Sequence, residues 1–179
     1  MQAKQLRKIF PKGTRMPNAL AKLCDYSEQT GGATSCDFEL TNYGKAGIQA
    51  WFAGNEKAAD QFVIFGIDEL QSLYGYWLYG GRPLIQAPIV YLNHEDTGNT
   101  VLANNIEEFL ALLAMGKEEV GLVDGWEEQT EPCADIDEFR SWLKQELGIT
   151  PPAEGHEIVD PARQAHPDLD AWIREQGKP

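Results

Sequence analysis

Apolar positions along the chain divide it into a strand-rich middle and a helix-rich end. Asp37-Phe-Glu-Leu-Thr41 alternates polar and apolar residues, the two-residue period of a half-buried strand. Ile48, Trp51 and Phe52 then share one helical face, with Gly54 placed to end the helix. Three dense apolar runs follow: Phe62-Val-Ile-Phe65 closed by Gly66, Leu73-Tyr-Gly-Tyr-Trp-Leu-Tyr79 closed by Gly80-Gly81, and Ile89-Val-Tyr-Leu92 between Pro88 and Asn93. Their short connections predict an antiparallel meander, and Thr100-Val-Leu-Ala103 extends it through the turn Asp96-Thr-Gly-Asn99. Gly75 is expected to let an aromatic ring from a neighbouring strand lie close to the backbone.

The clearest helix places Ile106, Phe109, Leu110 and Leu113 at i, i+3, i+4 and i+7, with Asn104 and Glu107 as its expected cap. Gly116 can end it. A second is announced by Asp135 and Glu138 ahead of Ile136, Phe139, Leu143 and Leu147; Gly148 and Pro151-Pro152 stop it. A final helix from Pro167 aligns Leu169, Trp172 and Ile173. Before residue 37, a leader punctuated by Pro11, Gly13 and Pro17 reads as a short helix or arm with little core, followed by the polar, Gly-rich loop Ser27 to Ser35. The order predicts an α+β fold, a mostly antiparallel sheet covered by helices. Its domain organisation is an arm and loop over 1–36 and one domain over 37–179, of which 117–179 is a helical extension.

The length of 179 residues suits one domain with its own core, and no apolar run reaches the ~18 residues needed to cross a bilayer. Ile9-Phe10 runs straight into Pro11-Lys12-Gly13, so no secretory leader is expected. Cys24, Cys36 and Cys133 match no zinc or redox spacing; three reduced thiols in a cytoplasmic protein are the simplest reading, with a Cys24–Cys36 bridge as the alternative.

Charge changes the picture more. Residues 1–23 hold six bases (Lys4, Arg7, Lys8, Lys12, Arg15, Lys22) and no acid, within a total of 28 acids and 15 bases. The other 156 residues therefore carry 9 − 28 = −19, and residues 118–138 alone hold nine acids and no Lys or Arg. Such a body repels phosphate backbones and attracts basic proteins, which argues against direct nucleic-acid binding.

His94-Glu95-Asp96 offers metal-ligand residue types, but adjacent residues in a strand or turn point apart, and His156 and His166 lie in the proline-containing tail. The patterns of a zinc deaminase or a zincin are absent. Asp68-Glu69 is a single local acid pair without a second constellation. No metal, cofactor or catalytic residue is therefore expected. Trp77, Tyr79 and Tyr91 alternate along their strands, so some of their rings reach the face opposite the core, under the terminal helices or on a binding face.

The block Phe65-Gly66-Ile67-Asp68, Tyr76-Trp77-Leu78, Ala87-Pro88-Ile89-Val90-Tyr91-Leu92 and Val101-Leu102-Ala103-Asn104-Asn105 leading into Phe109-Leu110 resembles the SUKH superfamily, over about residues 37 to 115. That group includes fungal cell-wall-assembly regulators and bacterial toxin-immunity proteins. The chain departs from it where the family's Asp-Gly-Ser/Thr-Gly turn reads Asp68-Glu69-Leu70-Gln71, and the family's N-terminal helix is not evident. The resemblance implies an antiparallel sheet covered by helices, no catalysis, and function through protein binding, with a basic nuclease or deaminase toxin as partner. Asp68, Glu69, Trp77, Tyr79, Glu95, Asp96, Glu127 and Glu128 are the expected partner-binding residues. A regulatory or scaffolding module of the same fold is the alternative reading, and a small metal-dependent enzyme using Asp68, Glu69, His94, Glu95 and Asp96 a more distant one.

Overall fold

The computed structural model of the chain describes residues 1–176 apart from 33, 35, 96–97, 129–131 and 135, together with the backbone alone of Glu127 and Glu128. Its centre is the expected meander: β1 (Glu39–Leu40), β2 (Phe62–Ile67), β3 (Leu73–Trp77), β4 (Ile89–Leu92) and β5 (Thr100–Ala103) lie side by side in chain order, every neighbour antiparallel. The helices are α1 (Ala3–Leu6), α2 (Asn18–Gln29), α3 (Lys45–Trp51), α4 (Glu56–Ala59), α5 (Ile106–Leu113), α6 (Ile136–Leu147), α7 (His156–Ala165) and α8 (Leu169–Glu175). The fold class is α+β.

Both faces of the sheet are covered, which explains why its strands read as nearly continuous apolar runs. On one face Val63, Phe65, Tyr74, Tyr76, Ile89 and Tyr91 join the core formed with Leu20 and Leu23 of α2, Phe109 and Leu110 of α5, and Phe139 and Leu143 of α6. Phe62, Ile64, Leu73, Trp77, Val90 and Leu92 point the other way, into a second core with Ile48 of α3, Ala58 and Ala59 of α4, Ala162 of α7, and Leu169 and Ile173 of α8. The period of two along each strand sorts the side chains.

Phe65 bulges out of the β2–β3 register, which shifts between Ile64 and Gly66. A Cβ on Gly66 would run into the Phe38 ring. Gly75 differs from its expectation: a Cβ there would come within 2.6 Å of Ile64 Cδ1 and 2.8 Å of the Val63 carbonyl oxygen, so the space it leaves admits an aliphatic side chain and the β2 backbone.

The N-terminal region differs more. Leu6, Phe10, Met16, Leu20 and Leu23 are buried, so residues 1–29 are core elements and not a loose arm. The apolar positions Ala19, Leu20, Leu23 and Tyr26 lie on the buried side of α2, while Lys22 reaches out to the Glu146 carboxylate at 3.0 Å. The α7 helix is also unforeseen, because Pro161 sits inside it. Val159 and Ala162 pin it to the core, and Arg163 Nε donates to Thr100 Oγ1 of β5 at 2.9 Å.

Cys36 and Cys133 form a disulfide across a sequence separation of 97, with Cα atoms 5.5 Å apart, and Cys24 is a buried free thiol. This corrects both cysteine expectations: neither three thiols nor a Cys24–Cys36 bridge is present. Folding brings the segment before β1 beside the segment before α6, a proximity that no local spacing encodes.

Candidate protein-binding surface

The β2–β3 turn is built around one carboxylate. Asp68 Oδ1 accepts from the Ser72 backbone N–H at 2.8 Å, and Tyr74 Oη donates to Asp68 Oδ2 at 3.2 Å. Gln71 closes the turn at φ +69°, its N–H donating to the Asp68 carbonyl. Next to this, Ser72 Oγ accepts from Tyr91 Oη at 3.0 Å and from the His94 N–H at 3.2 Å. With both lone pairs used, its own proton points to His94 Nδ1 at 3.2 Å. Burial raises the Asp68 carboxyl above its ordinary value, opposed by the bonds from Ser72 and Tyr74. Burial also pushes the Tyr91 phenol up to about 12.

Asp68 is therefore not a rim residue, which corrects its assignment to a binding surface. It is 7% exposed and locks the turn that carries Glu69 and Leu70 outward. Leu70, 48% exposed, follows Glu69 directly in the chain. Around the turn gather carboxylates from distant parts of the chain. The Asp37 carboxyl is raised first by partial burial and then by Glu69, Glu118, Asp68 and Glu119. Asp68, Glu119 and Glu95 act in the same way on Tyr91. Acids from before β1, from the β2–β3 turn, from after β4 and from after α5 thus share one end of the sheet. Glu69 and Glu95 are exposed. Asp96 lies outside the described residues, as do the side chains of Glu127 and Glu128, whose backbone closes the 3₁₀ helix Val123–Glu128. Asp37, Glu118 and Glu119 were not singled out from sequence; the acidic run from 118 was the available signal for two of them.

Trp77 and Tyr79 do not join this surface. Trp77 is fully buried, its ring centroid 4.3 Å from that of Tyr79 and 5.4 Å from that of Trp172 in α8, so it is a core residue covered by the terminal helix. Its indole N–H has no hydrogen-bond partner among the described residues. Half-buried Tyr79 belongs to a polar seam. Its hydroxyl lies 2.9 Å from His166 Nδ1, the Arg82 guanidinium stacks 4.2 Å from its ring centre, and His166 Nε2 lies 3.2 Å from Asn104 Oδ1. Asn104 Nδ2 in turn donates to Glu108 Oε2 at 3.0 Å, while Asn105 is the residue that caps α5, one position later than expected. These bonds fasten the α7–α8 connection to the end of β3 and the start of α5.

Among the described residues no group of three or more His, Cys, Asp or Glu side chains is placed to hold a metal ion. The Cys24 thiol, pushed up to about 11 by burial, is protonated at neutral pH and poorly suited to nucleophilic attack. No helix among the described residues is long and apolar enough to cross a membrane. No family model, no curated protein and no solved structure matches the chain.

Proposed function

We propose that the chain is a protein-binding module of the SUKH type that neutralises a cognate toxin, of nuclease or deaminase class, in the cytoplasm. The observation that carries this reading is the convergence of Asp37, Glu69, Glu95, Glu118 and Glu119 at the end of the sheet where the turn exposes Leu70. An acidic surface with an apolar residue among its charges has the anatomy of an interface to a basic protein. The charges speed encounter by long-range attraction, and the apolar side chain supplies contact once water is expelled. Residues that carry the SUKH resemblance build this end of the fold: Gly66 admits the Phe38 ring beside the strand, and Asp68 locks the turn.

The test is co-expression with a nuclease or deaminase toxin, should the chain's gene neighbourhood encode one. Growth should be restored, and the two proteins should co-purify through the acidic end. Absence of both rescue and complex would remove the reading.

A further inference from the structure

Two large apolar side chains stand out as exposed among the described residues, and they occupy opposite ends of β3. Leu70 precedes β3 in the acidic turn. Ile85, 80% exposed, lies in the connection between the end of β3 and the start of β4. The strand between them spans about 17 Å at 3.4 Å per residue.

Ile85 forms the lip of a groove of about 540 Å³ whose walls are Thr14 to Asn18 on one side and Pro83 to Ile85 on the other. Met16 and Leu84 are buried in its floor, Arg15 is exposed on its wall, and no acid lines it. The nearby leader carries its bases without any acid up to Lys22. One end of the molecule thus offers the exposed Leu70 next to the exposed Glu69, and the other an apolar groove with the exposed Arg15 on its wall.

We propose that these two ends fit each other between copies: the Glu69-Leu70 turn of one molecule docks in the Arg15/Met16/Leu84/Ile85 groove of the next. A two-fold pairing end to end would set like against like, turn on turn or groove on groove. Head-to-tail stacking instead brings opposite charges together and propagates unless it closes into a ring. The net charge of −13 opposes any self-association. At physiological salt the screening length of about 8 Å shuts off repulsion between distant charges and leaves contact pairs acting. A knob-and-groove contact of this size belongs to the small, transient class, so dissociation constants of about 0.1 mM are expected.

Sedimentation velocity and equilibrium of the isolated full chain provide the test, independent of any toxin and therefore of the proposed function. Raising the concentration to about 0.5 mM should lift the weight-average mass at least ~1.5-fold above the 20.0 kDa monomer, and salt of about 0.5 M should lower it again. Leu70→Ser and Ile85→Ser should each return the protein to monomer. Arg15→Glu and Glu69→Lys, both at exposed positions, should each weaken association alone. Mixed in equal amounts they should restore it, because each variant's turn then meets a groove of opposite sign. A chain that stays monomeric at every concentration, or association that survives all four variants, or a mixture that fails to associate, overturns the proposal.

Discussion

Asp68 and Tyr74 meet inside the end of the sheet, the Tyr74 hydroxyl donating to Asp68 Oδ2 at 3.2 Å while the Ser72 N–H donates to Oδ1. Burial holds this carboxyl above its ordinary value. A carboxyl raised on folding contributes stability that is whole below its unfolded value, about 4, and is lost as pH rises through the folded value. Asp68→Asn keeps an acceptor for Ser72 and lacks that loss. Urea unfolding should therefore show the variant gaining on the wild type as pH rises above about 4. Asp68→Ala should instead cost about 1–3 kcal/mol, because it strands the buried Tyr74 hydroxyl and Ser72 amide. Parallel pH profiles for wild type and Asp68→Asn would show that the carboxyl ionises at no cost.

His166 titrates in the opposite sense. Burial first, and the Arg82 charge second, hold its imidazole below the ordinary 6.5, with Glu108 acting the other way. Stability from a depressed histidine is whole above the unfolded value and lost as pH falls through the folded one. The neutral ring accepts at Nδ1 from Tyr79 and Arg82, and protonation would turn that acceptor against a guanidinium 3.5 Å away. Proton NMR should place His166 below a model-peptide histidine, and Arg82→Ala should move it upward. His166→Gln should lack the wild type's loss of stability below about pH 6.5. An unmoved titration in Arg82→Ala would remove the guanidinium from the account.

Much of the sheet was legible because its strands are dense in β-branched and aromatic residues and separated by Gly, Pro and Asn. The α5 and α6 helices were legible through an unbroken 3.6-residue period. Two helices were hidden by their own punctuation: Pro17 stands directly before α2, and Pro161 lies inside α7, where tertiary contacts of Val159 and Ala162 outweigh the lost backbone bond. Site residues failed on burial. Asp68 and Trp77 have the chemistry of surface anchors, and only the packed fold shows that one braces a turn and the other fills a core. The gathering of Asp37 with Glu118 and Glu119 joins segments some eighty residues apart, beyond any local pattern.

The Cys36–Cys133 bridge closes a loop of 97 residues in sequence separation. Cross-links of that span restrict the unfolded chain by about 4–5 kcal/mol on the chain-entropy account. Oxidised protein should unfold at a clearly higher urea concentration than protein held in a thiol reductant, and Cys133→Ser should match the reduced form under both conditions. Equal midpoints would show that the bridge constrains nothing. Because reducing compartments open such bonds, toxin binding should be measured in both states.

The acidic end has a signature that needs no partner and one that does. Glu69 heads the charges that raise Asp37 after burial, so Glu69→Gln should lower the Asp37 value seen by carboxyl NMR, and added salt should do the same by screening. With a toxin in hand, reversing Glu69 and Glu95 to Lys should slow association by about tenfold or more and flatten its dependence on salt, while dissociation changes less. Both side chains are exposed, so unfolding midpoints should stay within about 0.5 kcal/mol of wild type. Truncating Leu70 to Ala should have the opposite kinetic profile, a faster dissociation at an unchanged encounter rate, since an apolar contact acts only after docking. If Lys at 69 and 95 left the association rate and its salt slope untouched, steering would have to come from elsewhere. The run holding Glu127 and Glu128 would then be the next segment to reverse.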